Sequence, residues 1–326
     1  MRLLVTGGAG FIGSNFVRKA FDGGYSGITS VTVLDKLTYA GVKENLSQVS
    51  NLPNFEFVRG DICDPVVVRE LVSASDAIVN FAAESHVDRS ISSAADFVET
   101  NVIGVQVLLD AIKTSGRNIR FLQVSTDEVY GSIESGSWDE NCSLLPNSPY
   151  SASKAGGELL ARAYHRTHDM DIVITRCSNN YGAFHYPEKL IPLFVTNLLD
   201  GKKVPVYGNG RNIRDWLHVD DHCRGIHAAL MKGKSGEVYN IGGGRELTNL
   251  EITDLILDAM GADESSIEYV EDRKGHDHRY SVNWTKINRE LGYEPQVKFE
   301  DGLRETIEWY RNNRAWWEPL KQRVGL

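Results

Sequence analysis

Residues Arg2 to Thr6 form a short apolar run that passes directly into Gly7-Gly8-Ala9-Gly10-Phe11-Ile12-Gly13. Phe11, Ile12, Phe16, Ala20 and Phe21 then recur at helical spacing. Strand, glycines and helix in that order let a backbone turn tightly, approach a pyrophosphate and present it to a helix N-terminus. This points to a fold that ends a parallel strand beneath a phosphate. Gly7, Gly10, Phe11, Ile12 and Gly13 are therefore candidate dinucleotide contacts.

The alternation continues. Val31 to Leu34 reads as a second strand ending in Asp35, 22 residues beyond Gly13, where an acid bonds an adenosine ribose. That acid repels a 2′-phosphate and favours NAD over NADP, with Lys36 beside it working the other way. Phe55 to Arg59 is a third strand ending in Gly60-Asp61-Ile62, and Asp64-Pro65 caps the helix after it. Ala77 to Phe81 is a fourth, running into Ala82-Ala83-Glu84-Ser85-His86, where small residues let a flat ring lie against the backbone. Phe97, Asn101, Val105, Leu108 and Ile112 mark a long amphipathic helix. Ile119 to Val124 and Ile172 to Thr175 supply a fifth and a sixth strand.

This order predicts an α/β fold, a doubly wound parallel Rossmann sheet. Beyond Cys177 the texture changes, with Pro187, Pro192, Pro205 and several glycines breaking the chain into shorter elements. We expect residues 1–177 to form the dinucleotide-binding domain and residues 178–326 a smaller α+β C-terminal substrate lobe, with the segment 213–240 returning to the first. Phe299, Leu303, Ile307 and Tyr310 predict a late amphipathic helix, and Trp309, Trp316 and Trp317 are expected to pack against the lobe.

The fifth strand ends in Thr126-Asp127-Glu128, at the sheet edge where open α/β folds place their ligands. Adjacent carboxylates repel, so burial or a ligand can keep one protonated while the other ionises, which sets an acid beside a base. Tyr150 and Lys154 lie one helical turn apart, and the ammonium is expected to lower the phenol's pKa and make Tyr150 a general base. Ser148 and Pro149 mark the start of their helix, with Ala152, Ala155, Leu159 and Ala163 as its packing face. Tyr39 and Lys43 share the spacing but follow the ribose-binding acid, so they read as lining of the adenosine end. His218, Asp220, Asp221 and His222 read as a capped helix start rather than a metal set, and no metal is predicted.

The balance of 35 basic against 44 acidic side chains, a net charge of −9, argues against a nucleic-acid partner. The four cysteines are scattered without a CxxC pair, and the N-terminus enters directly into a strand without a charged start and apolar core. Both features point to a reducing cytoplasm. No apolar run approaches the ~18 residues that span a membrane.

Four stretches carry a resemblance: Gly7 to Gly13, Asp35-Lys36-Leu37-Thr38-Tyr39-Ala40-Gly41, Ala82-Ala83-Glu84-Ser85-His86-Val87-Asp88 and Tyr150-Ser-Ala-Ser-Lys154. Together they resemble the extended short-chain dehydrogenase/reductases. Thr126-Asp127-Glu128, Asn179-Asn180-Tyr181-Gly182, Pro187-Glu188-Lys189-Leu190-Ile191-Pro192 and Arg214-Asp215-Trp216 are similar to the dTDP-glucose 4,6-dehydratases among them. The resemblance implies a lyase of deoxysugar biosynthesis that keeps NAD+ bound and regenerates it each turnover, with dTDP-glucose as substrate. It implies catalysis by Thr126, Asp127, Glu128, Tyr150 and Lys154. It adds Lys36, Thr38, Asp61, Ile62, Ala82, Ala83, Ser85, Tyr150, Lys154 and Asn180 to the cofactor contacts. Ser85, Thr126, Asn179, Lys189, Leu190, Pro205, Tyr207, Arg214, Asn249, His276 and Tyr280 are the implied substrate contacts. A homodimer formed through helices 94–115 and 149–168 is implied as well. The alternatives are another NAD-dependent nucleotide-sugar dehydratase, a 4-epimerase that needs no paired acids, or a non-catalytic NAD-binding protein.

Overall fold

The computed structural model describes residues 1–326. Its centre is a sheet of seven parallel strands in the order β10-β6-β5-β4-β1-β2-β3. These are β1 (Arg2–Thr6), β2 (Ser30–Asp35), β3 (Phe55–Arg59), β4 (Ala77–Asn80), β5 (Arg120–Thr126), β6 (Ile172–Cys177) and β10 (Val238–Ile241). The apolar runs are continuous rather than alternating because both faces are covered. Successive residues divide between two cores: Leu3, Val5, Val33, Val79, Leu122 and Val173 face one, and Leu4, Leu34, Ile78, Phe121 and Ile172 the other.

Helices α1 (Phe11–Phe21) and α8 (Val219–Lys232) cover the first face, where Phe16, Val17, Cys223 and Ile226 are fully buried. Helices α2 (Pro65–Ala74), α5 (Val105–Ser115) and α6 (Pro149–His168) cover the second. The long helix expected around Phe97 to Ile112 is interrupted. Short α3 (Val87–Ser92) and α4 (Ala95–Val98) lead into a π turn over Glu99–Gly104 before α5 begins. The turn carries Asn101, whose amide donates to Ser153 Oγ (2.8 Å) and to the carbonyl of Glu84 (3.0 Å). It joins the loop after β4 to α6.

The start of α6 forms as read, with Pro149 in the first turn and a reciprocal capping box between Ser148 and Ser151. Its packing face is not as read. Ala155 is buried with Tyr150, Ser151, Ser153, Lys154, Gly157, Glu158 and Ala161, whereas Ala152, Leu159 and Ala163 face outward. The cause is that α6 turns its polar, chemistry-bearing side to the sheet, so apolar spacing marks the wrong face.

The stretch 213–240 is divided between the two layers. β9 (Ile213–His218) lies in a three-stranded sheet between β7 (Asn179–Tyr181) and β11 (Glu246–Thr248), while β10 extends the main sheet beside β6. β8 (Val204–Tyr207) pairs with β12 (Ile267–Val270), and α7 (Leu190–Leu199), α9 (Asn249–Met260) and α11 (Phe299–Asn312) enclose a third core. The short α10 (Thr285–Leu291) sets Ile287 and Leu291 in the first core. The tryptophans pack as expected: Trp317 is fully buried, and Trp309 and Trp316 close on Phe184 at 4.5 and 5.5 Å. From α12 (Arg314–Arg323), Trp316 Nε1 donates to Asn45 Oδ1 (2.8 Å), and the same amide donates to the carbonyl of Ala9 (3.1 Å). No helix is long and apolar enough to cross a membrane.

Gly7 is held at φ +68°, and a Cβ there would lie 2.5 Å from the Ala82 nitrogen. Gly7→Ala therefore combines left-handed strain with overpacking, and thermal or urea unfolding should show a loss of roughly 2 kcal/mol or more.

Candidate active site

Parallel strands release their loops along one edge, and there they line a single cleft that runs from the glycine turn to Trp216. At one end Gly10 opens α1 with no side-chain cap, so the first N–H groups of that helix are free to bind an anion. Gly13 lies under the turn so closely that a Cβ would sit 2.4 Å from the carbonyl oxygen of Gly7. Asp35 closes β2, and its carboxylate accepts from the backbone of Ala9 (2.8 Å) and of Leu37 (2.8 Å). Burial raises the Asp35 pKa, and these two donors work against that rise. Lys36 turns away to pair with Asp61 at 2.6 Å, so its charge is already matched within the protein. With Thr38, Ile62, Ala82, Ala83 and Ser85 in the same wall, the residues present suit a dinucleotide without a 2′-phosphate.

Midway along the cleft, Thr126 caps a one-turn 3₁₀ helix, Asp127–Tyr130. Its hydroxyl accepts from the Glu128 nitrogen (3.3 Å) and donates to Asp127 Oδ1 (3.2 Å). Asp127 is only 2% exposed, and its Oδ2 has no partner. Burial, then Glu128 and Asp215, hold its pKa well above the usual carboxylate range. Glu128 is more open to the cleft; burial raises it too, while the cations Arg214, Lys189 and Arg273 pull it back. The pair is thus split as its sequence suggested, into a buried acid and a neighbour that ionises more readily.

Tyr150 and Lys154 face these acids from the first turns of α6. Burial lowers the Lys154 ammonium to about 8, and it donates to the carbonyl of Val124 (2.7 Å). One expectation is overturned. Tyr150 is not lowered by the lysine; burial and then Glu128 push its phenol well above the ordinary value, and the Thr126 hydroxyl only partly offsets them. The sequence argument weighed one cation and omitted desolvation by the surrounding core. A further positive charge in the cleft favours ionising this phenol.

All five candidate catalytic residues and all the candidate cofactor contacts lie in this one cleft, as do Asn179, Lys189 and Leu190. Asn179 Oδ1 is buried without a partner, and Lys189 donates to the carbonyl of Ser85 (3.1 Å). The Asn180 amide is oriented by His222 Nδ1 (2.9 Å) and the carbonyl of Ser178 (2.9 Å). His218, in turn, caps α8 through the Asp220 nitrogen, and Asp221 accepts from Gln296 and Val297. Pro205, Tyr207, Arg214, Asn249, His276 and Tyr280 do not line the cleft itself. Most of them form an adjoining shelf: Arg214 stacks over Tyr280 at 4.3 Å, and Tyr207 packs edge-on to His276 at 6.3 Å. Asn249 opens α9 with its nitrogen bonded to the carbonyl of Asn212 (3.0 Å), and Pro205 lies in the β8–β12 pair.

Sequence reasoning missed Arg273 and His185. Arg273 stands over Tyr207 at 5.4 Å and forms a two-pronged pair with Asp88 at 2.5 and 2.8 Å. In sequence it sits in a charged run, Glu271 to Lys274, that reads as a solvated turn. His185 stacks on Phe11 at 4.2 Å, which pins the glycine turn to the segment before α7. No local pattern announces it.

Comparison with known proteins agrees along almost the whole chain. The family profile described as GDP-mannose 4,6 dehydratase matches residues 4–306. A dTDP-glucose 4,6-dehydratase of Streptomyces niveus is 61% identical over 324 residues, covering 98% of this chain and 96% of that one. The crystal structure of DesIV, a dTDP-glucose 4,6-dehydratase from Streptomyces venezuelae with NAD bound, superposes with a TM-score of 0.97 at 61% identity, over 98% of this chain and all of that one. The Bacillus anthracis dTDP-glucose 4,6-dehydratase, also solved with NAD, gives a TM-score of 0.91 at 48% identity over 98% of this chain and all of that one.

Because Asp127 is raised in the folded state, the unfolded chain ionises first, and native stability is lost as pH climbs above the unfolded value of about 4. Asp127→Asn removes that penalty. Differential scanning calorimetry should show the variant melting above the wild type near pH 7, with the two melting temperatures converging toward about pH 4.

Proposed function

The chain belongs to the dTDP-glucose 4,6-dehydratases, a branch of the extended short-chain dehydrogenase/reductases, and we propose that it converts dTDP-glucose to dTDP-4-keto-6-deoxyglucose and water in deoxysugar biosynthesis. NAD+, when bound, takes a hydride from sugar carbon 4 and returns it to carbon 6, so it is not consumed. Tyr150 removes the proton of the carbon-4 hydroxyl as that hydride leaves, and Thr126 bonds the carbon-4 oxygen. Lys154 supplies positive charge beside the phenolate. The ketone at carbon 4 acidifies the hydrogen on carbon 5; Glu128 takes it and, after exchange with solvent, gives a proton back to carbon 5 as the hydride reaches carbon 6. Asp127 delivers its proton to the departing hydroxyl of carbon 6, so the group leaves as water. Lys189 and Arg214, with Asn179, Leu190, Pro205, Tyr207, Asn249, His276 and Tyr280, serve the nucleotide diphosphate.

One observation carries this reading: a buried Asp127 with a free Oδ2, its pKa held above the usual carboxylate range by burial, stands next to Glu128 in the same cleft as Tyr150. An epimerase needs the tyrosine but has no use for that acid, and a silent binding protein needs neither.

The same proposal assigns cofactor binding to residues 1–177 and nucleotide binding mainly to 178–326. It makes the active species a homodimer in a reducing cytoplasm. Supporting the dimer, Val98, Ile103 and Leu159 expose 48%, 45% and 51% of their surface on the two candidate helices. Four free, scattered cysteines support the compartment.

Incubated with dTDP-glucose and no added NAD+, the protein should release the 4-keto-6-deoxy product; recovery of dTDP-galactose would replace dehydratase by epimerase. Tyr150→Phe should lower kcat by about 10²- to 10⁴-fold. Glu128→Gln should leave the first oxidation intact but stop solvent deuterium entering carbon 5, a loss that mass spectrometry of the sugar reads directly. Leu159→Arg should yield monomers in sedimentation velocity; an unchanged dimer would remove α6 from the interface.

A further inference from the structure

Outside the cleft, three buried side chains join the segments that carry the chemistry. Arg176 lies near the end of β6, Glu158 lies one turn beyond Lys154 on α6, and Tyr130 closes the turn bearing Asp127 and Glu128. The side chains of Arg176 and Glu158 are both 0% exposed. Arg176 Nε donates to Glu158 Oε2 (3.0 Å) and Oε1 (3.2 Å), and Nη2 donates to Oε1 as well. Nη1 donates to the Tyr130 hydroxyl (2.5 Å), which in turn donates to Asn240 Oδ1 (2.9 Å) on β10. None of the three lines the cleft.

A buried ion pair is a poor source of stability, since apolar side chains of similar volume commonly do as well or better. What it supplies is direction: a planar guanidinium fixes its partners in two axes at once, as neither an ammonium nor a leucine can. Here the fork faces a carboxylate on the Tyr150 helix on one side and the acid-bearing turn on the other. We propose that Arg176, held by Glu158, is a positioning residue that acts through Tyr130 to keep Asp127 and Glu128 in register with Tyr150 and Lys154. This rests on the dehydratase reading and divides its chemistry in two. Oxidation at carbon 4 uses Thr126, Tyr150 and Lys154, on β5 and α6, whereas removal of water uses the two acids on the turn. Loosening the turn therefore spares the first half and slows the second.

Tyr130→Phe tests this with one atom removed, keeping the ring's stack on Trp138 and the Arg176–Glu158 pair. With dTDP-glucose, the variant should show kcat lowered about 10- to 100-fold, the cost of misplacing a reacting group by a fraction of an ångström to an ångström. KM should stay within about twofold. The near-ultraviolet absorbance of reduced nicotinamide should build up in the steady state, and deuterium entry at carbon 5 should fall in step with kcat. Arg176→Lys, which keeps the charge but loses the fork, should give the same signature. Wild-type kcat in Tyr130→Phe, or a loss of activity without the absorbance signal, would overturn the positioning role while wild-type turnover leaves the dehydratase reading standing. A wild-type protein that leaves dTDP-glucose unchanged would overturn both.

Discussion

Parallel pairing sends every strand of the central sheet out through the same edge, and the site follows from that constraint. Gly7, Asp35, Asp61, Ala82, Thr126 and Asn179 all stand at or just beyond strand ends, tens of residues apart in sequence and together in space. The strands begin apolar on both faces, and their buried polar side chains, such as Thr6, Asn80, Arg176 and Asn240, gather toward the ends where the loops leave. Helices lying across both faces then exclude water from one side of each loop, which is why the acids are perturbed as strongly as they are.

What was legible in the sequence was what depends on neighbours along the chain. The glycine turn, Asp35 at the end of β2, the capping of α6 and the Thr126–Glu128 triplet at the end of β5 are each written in fewer than ten residues, and each takes the place in the fold that the sequence predicts for it. The failures have a common cause in tertiary context. Ala152, Leu159 and Ala163 have the spacing of a packing face, yet α6 buries its serines, its lysine and Glu158 instead. Tyr150 was judged by one neighbouring charge, although the surrounding core outweighs it. Arg273 and Arg176 look like surface charges in the sequence, and only the fold gives them Asp88 and Glu158.

The cleft sets two needs against each other. A carboxyl raised above its usual range, a lysine lowered to about 8 and a phenol raised well above its usual value are all unfavourable in isolation. They persist because two cores against the central sheet and a third among α7, α9 and α11 carry stability elsewhere, leaving this edge free to hold perturbed groups. Burial is therefore the tuning device. Burial raises both consecutive residues, but Glu128 and Asp215 push Asp127 further up, whereas the cations Arg214, Lys189 and Arg273 pull Glu128 back.

The amide of Asn45 has an unusual pair of partners: on one side the backbone of Ala9 in the phosphate turn, on the other the indole of Trp316, ten residues from the C-terminus. The first loop of the chain and its last helix are thereby stitched through one side chain. Order at either end lends order to the other, and by thermodynamic reciprocity whatever tightens the turn also tightens the tail. A protease trimming the final helix would be felt, through Asn45 and through Leu320 packed with Val42, at the opposite end of the polypeptide.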